Sequence, residues 1–177
     1  GTNYYWAGVR KVREWLDLEE GRLYVDDDGY VAYGSWLVRE NATEATKWWE
    51  FDEETGVVIG LADGFVTNRG KEYYCEDGKW FYGAVKVDDG IIFSATSGLV
   101  VKNAMCYVAQ DLETTAGLET GKYWCDANGR IVRDGFVTID GDTYYFNNYV
   151  RAKGLTKVGN DFYFFNASSG KMYKNMS

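Results

Sequence analysis

Apolar and polar positions alternate along most of the chain in short runs that end at glycine, aspartate or asparagine. The stretch 135–154 shows this most clearly, because an Asp-Gly pair joins an apolar run, 136–139, to an aromatic run, 144–146, and a second turn follows at Asn147-Asn148. Two alternating apolar runs joined in this way are typical of a β-hairpin. One hairpin of this size cannot bury its own faces, so the pattern predicts that other hairpins cover it.

The aromatic strand recurs seven times, each time followed by a polar turn. Its third residue is apolar in every copy and its fourth is polar. The third residues are Val25, Phe51, Cys75, Phe93, Cys125, Phe146 and Phe165. Because successive side chains on a strand point to opposite faces, the third residue is predicted to face a shared core and the fourth to lie at the turn. The chain is therefore predicted to be all-β, with tandem β-hairpin repeats forming a solenoid.

The amino-terminal part follows the repeat less closely. Residues 1–63 are predicted to form divergent N-terminal hairpin repeats, and residues 64–177 a regular series of hairpin repeats, in one continuous array. For Arg10–Leu16 the alternatives are the start of an amphipathic helix and a strand, and we favour the strand. The longest gap between copies predicts an insertion over Asn103–Gly117.

Composition excludes several functions. The formal net charge is −8, and there is no histidine. A nucleic acid or an anionic membrane as partner would need a basic surface, and no apolar run is long enough to cross a bilayer. Without histidine there can be no Ser-His-Asp or Cys-His site and no histidine-based zinc site. No signal peptide is visible, and the leading Gly1 is compatible with removal of one.

The remaining candidate chemistry is weak. Cys75, Cys106 and Cys125 are odd in number and widely spaced, so we expect small buried hydrophobes rather than disulfides. The acidic runs 26–28 and 88–89 could supply oxygens to calcium, but Asp and Gly are also the expected turn residues. No metal or cofactor is predicted. A stack of hairpins offers no deep cleft for the paired carboxylates of a glycosidase, so the chain is predicted not to be an enzyme.

Two segments carry a resemblance to a known family. Gly-Phe-Val-Thr-Ile-Asp-Gly with Tyr-Tyr-Phe-Asn at 135–147, and Gly-Phe-Val-Thr-Asn-Arg-Gly with Tyr-Tyr-Cys-Glu-Asp-Gly at 64–78, resemble the cell-wall-binding repeats of Gram-positive bacteria and their phages. That superfamily includes choline-binding modules, the glucan-binding repeats of streptococcal glucansucrases and the receptor-binding repeats of large clostridial toxins. The resemblance implies a hairpin solenoid, secreted or attached to the cell surface or wall, that binds wall polymers or glycans without catalysis.

The departures from the family pattern narrow the ligand class. Choline-binding repeats carry tryptophan after the opening glycine and again at the start of the aromatic strand, and these rings form a cage around a quaternary ammonium. Here Phe65 and Phe136 follow the glycine, and Glu72 and Thr143 open the aromatic strand. The cage is therefore mostly missing, and the repeats are closer to the glucan-binding and toxin type.

Aromatic side chains at strand positions that do not face the predicted core are the candidates for stacking on sugar rings. The candidate carbohydrate-binding residues are Trp48, Tyr74, Tyr82, Trp124 and Tyr145. Trp49 shares a strand face with Phe51 and is predicted to pack inward, which leaves Trp48 on the solvent side. Trp80 is predicted to be a core residue. The alternative for each exposed ring is packing between repeats.

The sequence therefore predicts non-catalytic binding of a cell-wall polysaccharide, or of a host or dietary glycan, at shallow aromatic sites between hairpins. The alternative is a structural spacer, or a protein-interaction or adhesin module, whose degenerate repeats have lost their ligand sites. Self-association is a further open alternative, because the end hairpins of a solenoid need caps or partners.

Overall fold

The computed structural model describes residues 1–174, which form short antiparallel strands and no helix. The strands up to residue 80 are β1 (Tyr5–Trp6), β2 (Val9–Arg10), β3 (Glu14–Leu18), β4 (Gly21–Val25), β5 (Gly34–Arg39), β6 (Thr46–Phe51), β7 (Val58–Leu61), β8 (Gly64–Asn68), β9 (Lys71–Glu76) and β10 (Lys79–Trp80). The later strands are β11 (Gly83–Val87), β12 (Gly90–Ser94), β13 (Ala104–Val108), β14 (Gly121–Cys125), β15 (Gly135–Ile139), β16 (Asp142–Asn147), β17 (Val150–Arg151), β18 (Gly154–Val158) and β19 (Asp161–Phe165).

Each aromatic strand pairs with the strand before it. The resulting hairpins are β3–β4, β5–β6, β8–β9, β11–β12, β13–β14, β15–β16 and β18–β19. Strands β7, β10 and β17 add a third strand to three of them, and β1–β2 forms a further hairpin at the amino terminus. The predicted all-β fold of tandem hairpin repeats is confirmed.

The predicted core row is also confirmed. The third residue of every aromatic strand is buried, with exposed fractions from 0% for Val25 to 6% for Phe93. In several hairpins this residue lies opposite a glycine of the first strand, as Phe51 lies opposite Gly34 and Phe146 opposite Gly135. A partner without a side chain leaves room for a large apolar residue on the core face.

The chain divides into two compact units, residues 1–82 with 94–100, and residues 83–93 with the chain from Val101 onward. Backbone hydrogen bonds join successive hairpins within each unit. In the first, the Trp48 amide donates to the Gly78 carbonyl at 2.8 Å, and in the second the Ile131 amide donates to the Ile91 carbonyl at 2.7 Å. The division predicted at residues 63 and 64 stays a prediction, and its last residues, 175–177, lie outside the described residues.

The turn glycine that follows an aromatic strand makes room for the preceding hairpin. A Cβ atom added to Gly56 would lie 2.4 Å from a methyl group of Val31, and one added to Gly98 would lie 2.6 Å from the ring of Trp80. Trp80 pairs with Cys75, but it is 44% exposed, so the prediction that it is a core residue is wrong. Its ring is too large for the row and lies over Gly98, stacked on Tyr73 at 6.5 Å.

Two predictions about irregular segments have different outcomes. The strand favoured for Arg10–Leu16 is confirmed in its second half, where β3 begins at Glu14. The insertion predicted over Asn103–Gly117 is partly wrong, because its first residues form β13, which pairs with β14. The extra residues are the loop 109–120. This copy opens with Ala104-Met105 rather than Gly-aromatic, which hid its first strand from the sequence pattern.

Candidate functional site

Six of the hairpins carry a second pair of facing residues, on the strand face opposite the buried third residue. These pairs are Trp15–Tyr24, Ser35–Glu50, Phe65–Tyr74, Met105–Trp124, Phe136–Tyr145 and Leu155–Phe164. Side chains directly opposite each other on one face interact closely. Ser35–Glu50 alone in this set is polar on both sides.

Two of the predicted candidates, Tyr74 and Tyr145, pack against other aromatic rings. The Tyr74 ring lies edge-on to Phe65 at 5.2 Å and also contacts Phe81 at 5.9 Å. The Tyr145 ring lies 4.9 Å from Phe136 and 6.4 Å from Phe165. Both tyrosines are partly buried. The more exposed rings are their strand partners, Phe65 at 41% and Phe136 at 46%.

The prediction that Trp48 faces solvent is wrong, because its side chain is only 4% exposed. It belongs to a cluster with Ala62, Val66 and Cys75, and its ring lies 5.9 Å from that of Tyr73. Strand β6 packs on both faces, since the cluster around Phe51 takes one face and residues of hairpin β8–β9 cover Trp48 on the other. Trp49 packs against the Phe51 cluster, as predicted.

The other two candidates are both partly buried. Trp124 lies opposite Met105, and Tyr82 follows β10 and precedes β11. None of the five predicted residues lines any of the three grooves described next, so the structure does not gather them into one site.

The largest of these grooves, groove A, lies between hairpins β5–β6 and β8–β9 and has a volume of about 860 Å³. Its walls include Ser35, Leu37, Glu50, Phe65, Thr67 and Arg69. Ser35 and Leu37 alternate with inward residues on β5, and Phe65 and Thr67 do so on β8, so the outward faces of the two strands form its sides. The exposed phenylalanine thus lies in the groove beside polar groups.

The polar side of groove A is partly organised. The Ser35 hydroxyl donates to Glu50 Oε1 at 2.7 Å, which fixes that carboxylate. Trp36 lies below, with its indole N–H donating to the Tyr33 carbonyl at 2.9 Å. Arg69 occupies a two-residue turn and is exposed. Groove A therefore offers the exposed Phe65 ring, a fixed carboxylate and a guanidinium, a combination suited to a ligand with C–H faces and hydroxyl groups.

Groove B, with a volume of about 660 Å³, is lined by charges that already have partners. Arg130 donates to Asp89 at 2.7 Å, and this hydrogen bond holds the pKa of Asp89 below its usual value. Arg133 and Asp134 form a second ion pair at 3.3 Å. Since the arginines lining groove B are engaged within the chain, it offers a ligand fewer free groups than groove A.

Groove C is smaller, about 300 Å³, and lies between hairpins β13–β14 and β15–β16. Its basic side chains are Lys122, Arg151 and Lys153, and its acidic side chain is Glu119. Tyr149 lines both groove B and groove C. The net positive charge of groove C distinguishes it from the chain as a whole, whose net charge is −8.

Sequence reasoning missed Phe65 and Tyr149 as groove residues. Phe65 had a usable signal, since it follows the opening glycine at the position that carries tryptophan in choline-binding repeats. Tyr149 had none, because the turn was predicted at Asn147-Asn148 and is centred instead on Asn148 and Tyr149.

The cysteines are confirmed as buried residues without disulfides. Burial raises the pKa of the Cys75 thiol to about 11, and the carboxylates of Glu50 and Asp63 add to the shift. A hydrogen bond with the Cys106 thiol raises the pKa of Cys125 above its usual value, and burial adds to it. Cys75 and Cys125 therefore stay protonated at neutral pH, in the form that is not nucleophilic.

The acidic run 26–28 forms a turn. Asp26 Oδ1 accepts hydrogen bonds from the amides of Asp28 at 2.9 Å and Tyr30 at 2.8 Å. Within residues 1–174, no three acidic or cysteine side chains are grouped so that they could hold a metal ion. The same part of the chain has no helix that could span a membrane.

Similar folds are found among solved structures. Choline-binding protein F from Streptococcus pneumoniae, in the presence of a peptidoglycan analogue, matches with a TM-score of 0.52 and 17% identity, over 98% of this chain and 52% of that one. Crystal form II of the same protein matches with a TM-score of 0.50 and 20% identity, over 93% of this chain and 52% of that one. A truncated alternansucrase from Leuconostoc mesenteroides matches with a TM-score of 0.40 and 23% identity, over 88% of this chain and 12% of that one. No family model and no curated protein sequence matches.

The two matches to choline-binding protein F establish the fold. The chain has the tandem-hairpin fold of choline-binding protein F and spans about half the length of that protein's structures. The resemblance to cell-wall-binding repeats predicted from the sequence is confirmed at this level.

Proposed function

We propose that this protein binds a cell-wall polymer or another glycan, without catalysis, and that groove A is the principal site. The observation that carries the proposal is the exposed Phe65 ring beside the Ser35–Glu50 hydrogen bond in a groove between two hairpins. Aromatic rings stack on the C–H faces of sugars, and neighbouring polar side chains then select the hydroxyl groups.

Each group in groove A has a defined part in this proposal. Phe65 provides the stacking surface, and Tyr74 behind it keeps the ring from rotating away. Glu50 accepts hydrogen bonds from sugar hydroxyls through the oxygen that Ser35 does not use. Arg69 donates to ring or hydroxyl oxygens. One shallow groove gives weak affinity, so tight attachment to a polymer needs several such contacts at once.

The fold supports this ligand class. Choline-binding protein F, which shares the fold, has been crystallised in the presence of a peptidoglycan analogue, a tetrasaccharide-pentapeptide. We extend a glycan ligand to this chain as part of the proposal, together with a secreted or cell-surface location, and retain the prediction that choline is not the ligand.

The test is glycan affinity of the full chain and of Phe65 variants, measured by calorimetry with a peptidoglycan tetrasaccharide and an isomaltooligosaccharide. Phe65→Ala should weaken binding about tenfold, because it removes the stacking ring. Phe65→Leu keeps an apolar side chain against Tyr74 and should lose nearly as much. Thermal melting of both variants checks that the fold is intact.

Phe162→Ala is the matched control. Phe162 is 64% exposed on β19 and lies outside the three grooves, so its removal should leave affinity within about twofold. Equal affinity in Phe65→Ala and the unmodified chain would reject groove A as the site. No binding of any wall or dietary glycan would instead favour the protein-interaction alternative, for which Leu155 and Phe164 on the last hairpin offer an exposed apolar surface.

A further inference from the structure

Tyr149 has a backbone conformation that tyrosine rarely adopts. It is the second central residue of the two-residue turn between β16 and β17, with φ of 69°, after Asn148 with φ of 48°. Such turns require positive φ at both positions and favour Asn-Gly or Asp-Gly. A bulky residue in this region is strained.

The other turns of this type show what would be expected here. Their second central residues are Gly8, Gly70, Gly78 and Gly141. The turn in hairpin β8–β9–β10, which uses Asp77-Gly78, is the direct counterpart of Asn148-Tyr149. Strained residues cluster where a side chain has a function, and the side chain gained here is an aromatic ring in the wall of groove C.

Groove C also carries unneutralised positive charge. Lys122 on β14 and Lys153 after β17 are exposed, and within residues 1–174 neither forms an ion pair. Arg151 has a different role, since it packs against Gly170 and lies 5.7 Å from the ring of Tyr144. Two lysines thus remain available to a ligand beside the tyrosine.

Exposed apolar groups complete the groove. Met105 is 46% exposed and Val150 is 69% exposed. Lysines beside apolar and aromatic surface suit a ligand that has both C–H faces and negative charge. A neutral sugar would leave the two ammonium groups unused.

We propose that groove C binds an anionic segment of a glycan, one that carries carboxylate or phosphodiester groups, with Tyr149 as the stacking surface and Lys122 and Lys153 as the charge partners. This rests on the proposed function, because it assigns a charged part of a glycan to a second groove. Exposed charges interact weakly and are screened by salt. Binding at groove C is therefore salt-sensitive, whereas stacking in groove A is much less so.

The test measures retention of the full chain on three immobilised polymers: polygalacturonate, poly(ribitol phosphate) and neutral dextran. Lys122→Gln/Lys153→Gln should weaken binding to the anionic polymers about tenfold and leave dextran binding unchanged. Lys86→Gln/Lys157→Gln removes the same charge outside groove C and should change binding less than about twofold. Raising salt from about 0.05 M to about 0.5 M should abolish the difference between the two double variants.

Tyr149→Gly separates a binding role from a structural one. It gives the turn the favoured Asn-Gly sequence and relieves the strain, so the melting temperature should stay level or rise by about 1–3 °C. Affinity for the anionic polymer should nevertheless fall about tenfold. A fall in melting temperature with unchanged affinity would show that Tyr149 only supports the fold, and would overturn its assignment.

The outcomes also separate this inference from the proposed function. If the chain binds dextran or a wall tetrasaccharide through Phe65, but the two double variants bind the anionic polymers equally, groove A stands and the assignment of groove C fails. Retention on single-stranded poly(dT) equal to that on the anionic glycans would likewise overturn the assignment of groove C, since only unselective attraction to polyanions would remain. If no glycan binds at all, both proposals fail together. Preference for polygalacturonate or for poly(ribitol phosphate) identifies the anionic group.

Discussion

Replacing Phe51 by alanine should lower the free energy of unfolding by about 3–5 kcal/mol, the usual cost of a large cavity in a core. Phe51 is 1% exposed, clusters with Ala32 and Val38, and stacks on Trp15 at 5.7 Å. Its removal leaves a cavity that these neighbours can fill only in part. Urea unfolding followed by tryptophan fluorescence measures the loss, because Trp15 reports on this cluster.

The control for Phe51 is Ile59→Ala on β7. Ile59 is a large apolar residue of the same unit, but it is 73% exposed, so its removal should change stability by no more than about 0.5 kcal/mol. A similar small effect for Phe51→Ala would mean that the row of third residues is not the core of the array.

Replacing Gly78 by alanine should have the second largest effect, a loss of about 2–4 kcal/mol. Gly78 has φ of 72°, and an added Cβ would lie 2.7 Å from the Trp48 carbonyl oxygen. The same glycine accepts a hydrogen bond from the Trp48 amide and donates one to the Ala62 carbonyl. Since the obstacle is backbone rather than a movable side chain, two hairpins must separate slightly to admit the methyl group.

Gly70→Ala is the comparison that isolates this close approach. Gly70 has nearly the same backbone conformation, with φ of 74°, in the turn at the other end of β9, and an added Cβ would meet nothing within 4 Å. Its loss should be limited to the left-handed strain, about 1–2 kcal/mol. If the two substitutions cost the same in thermal or urea unfolding, contact between hairpins at Gly78 does not contribute to stability.

The array is predictable from sequence because its two signals are local. Alternation within a strand predicts that Val25, Phe51 and Phe165 are each buried, without knowledge of the tertiary structure. The glycines after the strands mark the turns. The sequence predictions fail where the outcome depends on the room available for a side chain or on which neighbouring hairpin covers it. The repeat pattern predicts Trp80 to be a core residue, but it does not show that the core face has no room for an indole ring.

The candidate binding residues are less predictable for the same reason. Alternation places Trp48 on the strand face opposite Phe51. Whether Trp48 meets water there depends on the next hairpin, whose residues cover its side chain. The repeat pattern identifies Tyr74 and Tyr145 as candidates. The register then shows that their partners, Phe65 and Phe136, are the more exposed members. Tyr149 is identified as a groove residue only once the turn conformation is known, and the sequence of the turn does not suggest that conformation.

NMR of a chain labelled at phenylalanine tests whether a groove between adjacent hairpins holds the sugar. Titration with a peptidoglycan tetrasaccharide or an isomaltooligosaccharide should shift the ring resonances of Phe65 along a saturable curve and leave those of Phe162 in place. Saturable binding that moves Phe162 while Phe65 stays unchanged would contradict the account.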